Sequence, residues 1–257
     1  MSNSDISAFD LTGKTALVTG ASRGLGQAIA ISLAKAGAKV VCSASSVNGC
    51  EQTVEKIRQL GGEAISVAAD LNDADSVTAM AEQAIAWQGQ VDVLVNNGGT
   101  IARYPADEFP QDEWLKVINV NLNSAFLLSQ KIGKQMIERK QGKIINIASM
   151  LSYTGGITVP AYTASKHGIA GVTKALANEW AQHNVQVNAI APGYFRTDNT
   201  QALQDNAERN AEIQKRIPAG QWGEPEQLGG AAVFLASSAS DYVNGHILAV
   251  DGGWLAR

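Results

Sequence analysis

Between Lys14 and Cys42 the chain carries a pattern that few folds accommodate. Lys14-Thr-Ala-Leu-Val-Thr19 reads as a short buried strand and runs straight into Gly20-Ala-Ser-Arg-Gly24-Leu-Gly26. Gln27 to Ala36 continues with helical periodicity, ends at Gly37, and Ala38-Lys-Val-Val-Cys42 follows as a second strand. Glycines at 20, 24 and 26 let the backbone turn tightly and approach a ligand closely. N–H groups exposed at such a helix start favour a pyrophosphate. A lone glycine cluster is equally well a tight turn; the strand on each side is what completes the βαβ unit.

Strand and helix patterns keep alternating downstream. Glu63 to Ala69, Val91 to Asn96, Gly142 to Ser149, Val185 to Ala191 (read as a central strand) and His246 to Val250 are the further strands. Asp73 to Trp87, Gln111 to Lys140, Pro160 to Gln182 and Glu224 to Ala236 are the helices between them. This alternation predicts an α/β fold: a doubly wound, parallel seven-stranded sheet with helices on both faces. A length of 257 residues suits one domain spanning 1–257. Ligands in such folds gather at the carboxyl ends of strands, which puts Gly20, Asp70, Asn96, Ser149 and Pro192 along one edge.

Tyr162 and Lys166 sit four residues apart in Tyr-Thr-Ala-Ser-Lys. If Pro160 starts a helix, the two share a face and the ammonium lies beside the phenol oxygen. A free tyrosine titrates near pH 10, and bringing it toward neutrality asks for about 4 kcal/mol of differential stabilisation. The lysine supplies part of that and an oxidised nicotinamide the rest. With Ser149 ahead of the tyrosine and Asn121 further upstream, the set suggests hydride transfer. A Tyr-x-x-x-Lys alone is weak evidence, so the companions matter.

These motifs together resemble the short-chain dehydrogenase/reductase family over essentially the whole chain, and so a Rossmann fold. Thr19-Gly-Ala-Ser-Arg-Gly-Leu-Gly26 is similar to its cofactor glycine motif, Asn96-Asn97-Gly98-Gly99 to its Asn-Asn-Ala-Gly segment, and Pro192-Gly193 to the turn after its sixth strand. The resemblance implies a catalytic tetrad of Asn121, Ser149, Tyr162 and Lys166, with the middle asparagine of Asn119, Asn121 and Asn123 selected by the family pattern alone. In that pattern Asn121 holds a water linking Lys166 to solvent, and Asn96 steadies the sheet. The implied cofactor-binding residues are Gly20, Ser22, Arg23, Gly24, Leu25, Gly26, Ser45, Asp70, Leu71, Asn97, Gly98, Tyr162, Lys166, Pro192, Gly193 and Thr197. Asp70 and Thr197 are equally simple turn or cap residues. Gly98 departs from the family's alanine, removing a methyl beside the adenosine pocket and loosening the turn.

Charge decides the expected cofactor. The second strand ends in Cys42-Ser43-Ala44-Ser45-Ser46, without the carboxylate that holds the ribose hydroxyls in NAD sites. Arg23 resembles the basic residue that pairs with a 2′-phosphate, so NADP(H) is expected over NAD(H). The other reading of Arg23 is a surface charge on a turn.

Specificity lives in loops, and the polar segment 193–216 is expected to be a substrate lid. Within the family the second half most resembles the 2-dehydro-3-deoxygluconate 5-dehydrogenases of uronate breakdown, in Gly142 to Ser152, Ala189 to Tyr194, Asn199-Thr200, Asp241 to Gly245 and Val250 to Arg257. The first half, around Ala21 to Asn48, looks instead like the 3-oxoacyl carrier-protein reductases. The implied reaction interconverts a ketone and a secondary alcohol on a keto-acid or sugar-acid substrate, of the 2-dehydro-3-deoxygluconate dehydrogenase or 4-deoxy-5-hexoseulose uronate reductase type. Arg103, Ser149, Met150, Tyr162 and Arg196 are its expected substrate contacts, the two arginines as carboxylate grips. Carrier-protein reductase and catalytically silent NADP(H)-binding sensor stand as alternatives.

Net charge is −4 with dispersed Lys and Arg, which leaves no footprint for nucleic acid. The basic run Lys131 to Lys143 reads as a solvated helix face. Cys42 and Cys50 are the only cysteines and lack metal-ligand spacing, so no metal is expected. The first dozen residues have no secretory pattern and no apolar run reaches membrane-spanning length, so a cytoplasmic enzyme is expected. The family's habit and the Ala-rich helices point to a homotetramer.

Overall fold

The computed structural model describes residues 7–257; Met1 to Ile6, part of the stretch read for a leader, lie outside the described residues. Seven strands form one sheet: β1 (Thr15–Thr19), β2 (Lys39–Ala44), β3 (Ala64–Ala68), β4 (Val93–Asn96), β5 (Gly142–Ile147), β6 (Val185–Pro192) and β7 (Ile247–Val250). Their order is β3-β2-β1-β4-β5-β6-β7, and every pairing is parallel. The order reverses between β1 and β4, the switch point where loops part and leave a crevice.

Helices α1 (Gly24–Lys35), α2 (Glu51–Gln59), α3 (Ala74–Gln88), α4 (Gln111–Ile118), α5 (Ser124–Arg139), α6 (Pro160–Trp180), α7 (Gln201–Asp205), α8 (Ala207–Arg216) and α9 (Gly229–Ala236) make the crossovers and the segment beyond β6. Alternation along the strands sorts them into layers. Ala16 and Val18 of β1 face Ile29 and Leu33 of α1, Ile57 of α2 and Leu235 of α9. Leu17 faces the other way, toward Met80 of α3, Leu128 and Ile132 of α5, and Leu176 of α6. With both faces covered, the strands are largely apolar, and each fully buried Leu or Ile stabilises the fold by roughly 1.5–3 kcal/mol.

Three sequence expectations need correction. Gln111 to Lys140 is not one helix: a π-helical turn at Asn119–Asn123 separates α4 from α5. β6 is not central but next to the edge strand β7; it is buried along its whole length because helices and β7 enclose it. Lys131 to Lys143 is not one solvated face, because Lys143 belongs to β5, where it is buried and its Nζ lies 2.7 Å from Asp241 Oδ1. Arg139 likewise turns inward, its Nη2 3.6 Å from the carboxylate of buried Asp92.

Polar groups in the sheet are matched across layers. Asn96 and Asn146 are register partners on β4 and β5. Asn96 Nδ2 donates to Asn146 Oδ1 at 2.8 Å, and Asn146 Nδ2 donates to Thr173 Oγ1 of α6 at 2.9 Å. This supports the expected sheet-steadying role of Asn96. Asn146→Ala strips two buried partners at once and should lower the unfolding free energy by about 2–3 kcal/mol, read as a shifted urea midpoint at unchanged slope.

Candidate active site

A cavity of about 350 Å³ opens at the carboxyl ends of β1, β4 and β5. Its floor is the glycine turn. Gly20 has φ +63°, and a Cβ there would lie 2.8 Å from Gly98 Cα. A Cβ on Gly26 would lie 2.1 Å from the Gly20 oxygen. Only glycine permits that approach, which draws the first turn of α1 onto the strand end. Asn97 pins the turn from β4: its Nδ2 donates to the oxygens of Thr19 and Gly20 at 2.9 and 3.2 Å. Thr19 Oγ1 in return accepts the N–H groups of Asn97 and Gly98 at 3.0 and 2.8 Å. Arg23, at the N-cap of α1, makes no side-chain cap, so N–H groups of the first turn lack protein partners where the helix borders the cavity. That uncapped start, under a backbone with no room for Cβ atoms, fits a dinucleotide pyrophosphate.

Across the cavity, α6 brings Tyr162 and Lys166 to the wall. The Lys166 Nζ lies 5.5 Å from the centre of the Tyr162 ring and donates to the Ile147 carbonyl at 2.6 Å. Ser149 begins a 3-10 turn, its Oγ accepting the Leu151 N–H at 3.1 Å. That turn is tied to α6 by Ser152 Oγ, which donates to the Lys166 carbonyl at 2.6 Å. Ser149 also lies near enough to the Tyr162 phenol to lower its pKa.

The π-helical turn sets the three asparagines in different surroundings. Asn121 is buried, Asn119 half-buried and Asn123 exposed. Asn121 Oδ1 accepts the Thr100 N–H at 2.8 Å, while its Nδ2 donates to the Thr100 oxygen at 2.9 Å and to Ser165 Oγ at 3.1 Å. The extra residue in that turn is what aims the amide inward, as π turns at functional positions commonly do.

Comparison with known proteins agrees with this geometry. The family model for short chain dehydrogenases matches residues 14–208. The chain is 54% identical over 250 residues to 2-dehydro-3-deoxy-D-gluconate 5-dehydrogenase of Bacillus subtilis, covering 97% of this chain and 98% of that protein. It is 45% identical to 5-keto-D-gluconate 5-reductase of Escherichia coli K12, covering 96% and 97%. A solved gluconate 5-dehydrogenase from Burkholderia cenocepacia, in complex with NADP and tartrate, superposes with a TM-score of 0.93 at 40% identity, covering 97% and 98%.

The chain belongs to the short-chain dehydrogenase family.

As a member of that family it is an oxidoreductase with a nicotinamide-nucleotide fold. Of the expected cofactor residues, Gly20, Ser22, Arg23, Gly24, Leu25, Gly26, Asn97, Gly98, Tyr162, Lys166 and Thr197 line the cavity. Ser45, Asp70, Leu71, Pro192 and Gly193 do not line it. Ser45 is exposed beyond β2, and Asp70 uses its carboxylate on the Asn72 N–H at 2.8 Å. Leu71 packs where a Cβ on Gly98 would stand, 2.4 Å from its Cδ1. Gly98 therefore makes room for Leu71 rather than loosening the turn. Gly193 lies against the Asp251 backbone at the end of β6.

Arg103 lines the cavity, whereas Arg196 turns away to Glu224 at 3.0 Å and Gln204 at 3.2 Å. Met150 packs into an aromatic cluster with Ile213, Ile217, Trp222 and Trp254 that anchors α8. Thr100, Ile101, Ile147, Asp198 and Thr200 also line the cavity. Of these, Thr100 had a sequence signal in its place directly after the Asn-Asn-Gly-Gly run, and Thr200 in the Asn199-Thr200 pair. Among the described residues no cluster of His, Cys, Asp or Glu could hold a metal, and no helix is long and apolar enough to cross a membrane.

The electrostatics bear on one expectation. Burial pushes the Tyr162 phenol up, and the Ser149 hydroxyl and then the Arg103 charge pull it down. The lysine was expected to supply part of the acidification, with an oxidised nicotinamide supplying the rest; without nucleotide, burial lowers Lys166 itself to about 8, with its ammonium turned to the Ile147 carbonyl. The amide of Asn121 is similarly committed, leaving one lone pair of Oδ1 for the water it was expected to hold.

A lysine whose folded pKa lies below its unfolded value contributes stability that is fully present above pH 10.5 and lost as pH falls through about 8. Wild type should therefore gain stability relative to Lys166→Met as pH rises across that window, in chemical denaturation without added nucleotide. The two proteins share their other titrating groups, so the difference isolates Lys166.

Proposed function

We propose that this enzyme interconverts a ketone and a secondary alcohol on an open-chain keto-sugar acid, with NADP(H) as preferred coenzyme. The observation that carries this reading is Arg103, which lines the cavity and stands close enough to Tyr162 for its charge to act on the phenol. A guanidinium there can grip a carboxylate through two parallel hydrogen bonds and hold the ketone at the phenol. The relatives named for 2-dehydro-3-deoxy-D-gluconate and 5-keto-D-gluconate support the same substrate class.

Each residue has a role that its position supports. The glycine turn and the start of α1 bind the dinucleotide phosphates, and Lys166 binds its ribose. The bound nicotinamide supplies or accepts the hydride at the substrate carbon. Tyr162 donates its phenol proton to the carbonyl oxygen as charge develops there, and in the reverse direction the phenolate takes the alcohol proton. Ser149 hydrogen-bonds the same oxygen. Asn121 is a positioning residue that ties Thr100 on the cavity wall to Ser165 in α6. Segment 193–216 serves as the lid, seated on the aromatic cluster under α8 and held further by Arg216 over Trp254, 4.1 Å from the ring centre.

Arg23 on the cavity rim supports a 2′-phosphate, and no carboxylate stands at the end of β2 to repel one. Subunit association through the α4–α5 layer is supported by the exposed Trp114, Leu115 and Phe126.

Tyr162→Phe should lower kcat by about 10²–10⁴-fold while the Kd for NADPH stays near that of wild type, measured by nucleotide fluorescence. Arg103→Met should raise KM for keto-sugar acids by about 10–100-fold and leave an uncharged ketone almost unaffected. Turnover of acetoacetyl thioesters without turnover of open-chain keto-uronates would replace this reading with the carrier-protein reductase.

A further inference from the structure

Asp198 stands where the lid segment meets the phosphate turn, and the roles assigned so far leave it without one. Its Oδ2 is 3.3 Å from Arg23 Nε, and both residues line the cavity. The two rims touch here, since a Cβ on Gly24 would lie 3.4 Å from Thr197 Cγ2. Thr200 fixes the backbone at Asp198, its Oγ1 accepting the Thr197 N–H at 3.1 Å and donating to the Phe195 oxygen at 2.7 Å. The carboxylate is thus aimed at the guanidinium by a turn hydrogen-bonded on both sides.

The Arg23 and Asp198 side chains are 71% and 72% exposed, so the pair itself holds little energy. A phosphate monoester carries more charge than one carboxylate and offers a guanidinium two oxygens at once. Such a group can therefore displace Asp198 from Arg23, against a residual repulsion from the carboxylate left beside it. An unphosphorylated ribose leaves the pair intact.

We propose that Asp198 is a specificity-determining residue for the coenzyme: by competing for Arg23 it weakens binding of the 2′-phosphorylated dinucleotide and narrows the preference over the unphosphorylated one. This rests on the assignment of Arg23 to the 2′-phosphate. Occupying the guanidinium and adding negative charge at the phosphate act in the same direction, so the sign of the effect is fixed.

The test is equilibrium binding of NADPH and of NADH, by nucleotide fluorescence at low ionic strength, to wild type, Arg23→Ala, Asp198→Asn and the double variant. Asp198→Asn should tighten NADPH by about twofold to fivefold and leave NADH unchanged. The gain should shrink with added salt and fall in the Arg23→Ala background, where only the direct repulsion between carboxylate and phosphate remains. If Arg23→Ala weakens NADPH selectively but Asp198→Asn leaves the NADPH to NADH ratio at its wild-type value, or shifts both alike, the role of Asp198 is overturned while that of Arg23 stands. If Arg23→Ala leaves the ratio unchanged, the 2′-phosphate assignment itself fails and the proposal falls with it.

Discussion

One amide holds the site together. Asn97 Nδ2 bonds the carbonyls of Thr19 and Gly20 and so clamps the end of β4 to the end of β1 at the point where strand order reverses. The clamp works only because Gly26 has no side chain, as a Cβ there would sit 2.4 Å from that same nitrogen. Thr19 completes it from the opposite side by accepting two N–H groups of the β4 turn. Each such bond contributes about 1 kcal/mol net, but leaving any of these buried groups unpaired costs more than the bond gains. The crevice is thereby held at a fixed width, and the start of α1 faces it.

A second device brings chemistry from the opposite helical layer. An α-helix running unbroken from Gln111 to Lys140 would carry Asn121 on a fixed 3.6-residue track. Widening the turn at Asn119–Asn123 points that amide at the Thr100 backbone, and Ser165 extends the connection into α6 one turn from Tyr162, whose carbonyl it bonds at 2.7 Å. The cavity wall after β4 and the helix carrying the phenol are thus braced through one side chain. Nothing in the apolar periodicity of 111–140 announces the extra residue, because α4 and α5 each keep their own helical period on either side of it.

This contrast explains what was legible in the sequence. The sheet and its glycine turn were readable because period-2 and period-3.6 patterns and backbone-only requirements are local properties. Residues serving the turn from within their own motif, such as Gly26 and Asn97, could be located for the same reason. Partnerships across sequence distance were not readable. Lys143 looked like part of a basic helix until its pairing with Asp241, 98 positions away, became visible. Arg196 and Arg103 were equivalent as letters, and only the fold sends one to Glu224 and the other to the cavity. Asp198 carried no pattern at all, because its significance lies wholly in facing Arg23.

The electrostatic balance at Tyr162 ties recognition to proton transfer. Burial drives both Tyr162 and Lys166 toward their neutral forms, raising the one and lowering the other. A protonated phenol is the form that can donate to an oxygen gaining charge, but a phenol is already protonated near neutral pH, and raising its pKa further makes it the weaker acid. Against burial stand only the Ser149 hydroxyl and the Arg103 charge. On the proposed reading, a substrate carboxylate seated on Arg103 offsets that charge and moves the phenol further toward its protonated state as the ketone arrives. A bound keto acid would then gain its grip on the guanidinium at some cost in the acidity of the phenol, whereas a neutral ketone leaves Arg103 free to hold the phenol's pKa down. Discrimination in favour of keto acids is therefore exerted through binding and positioning, by one guanidinium placed within reach of both groups.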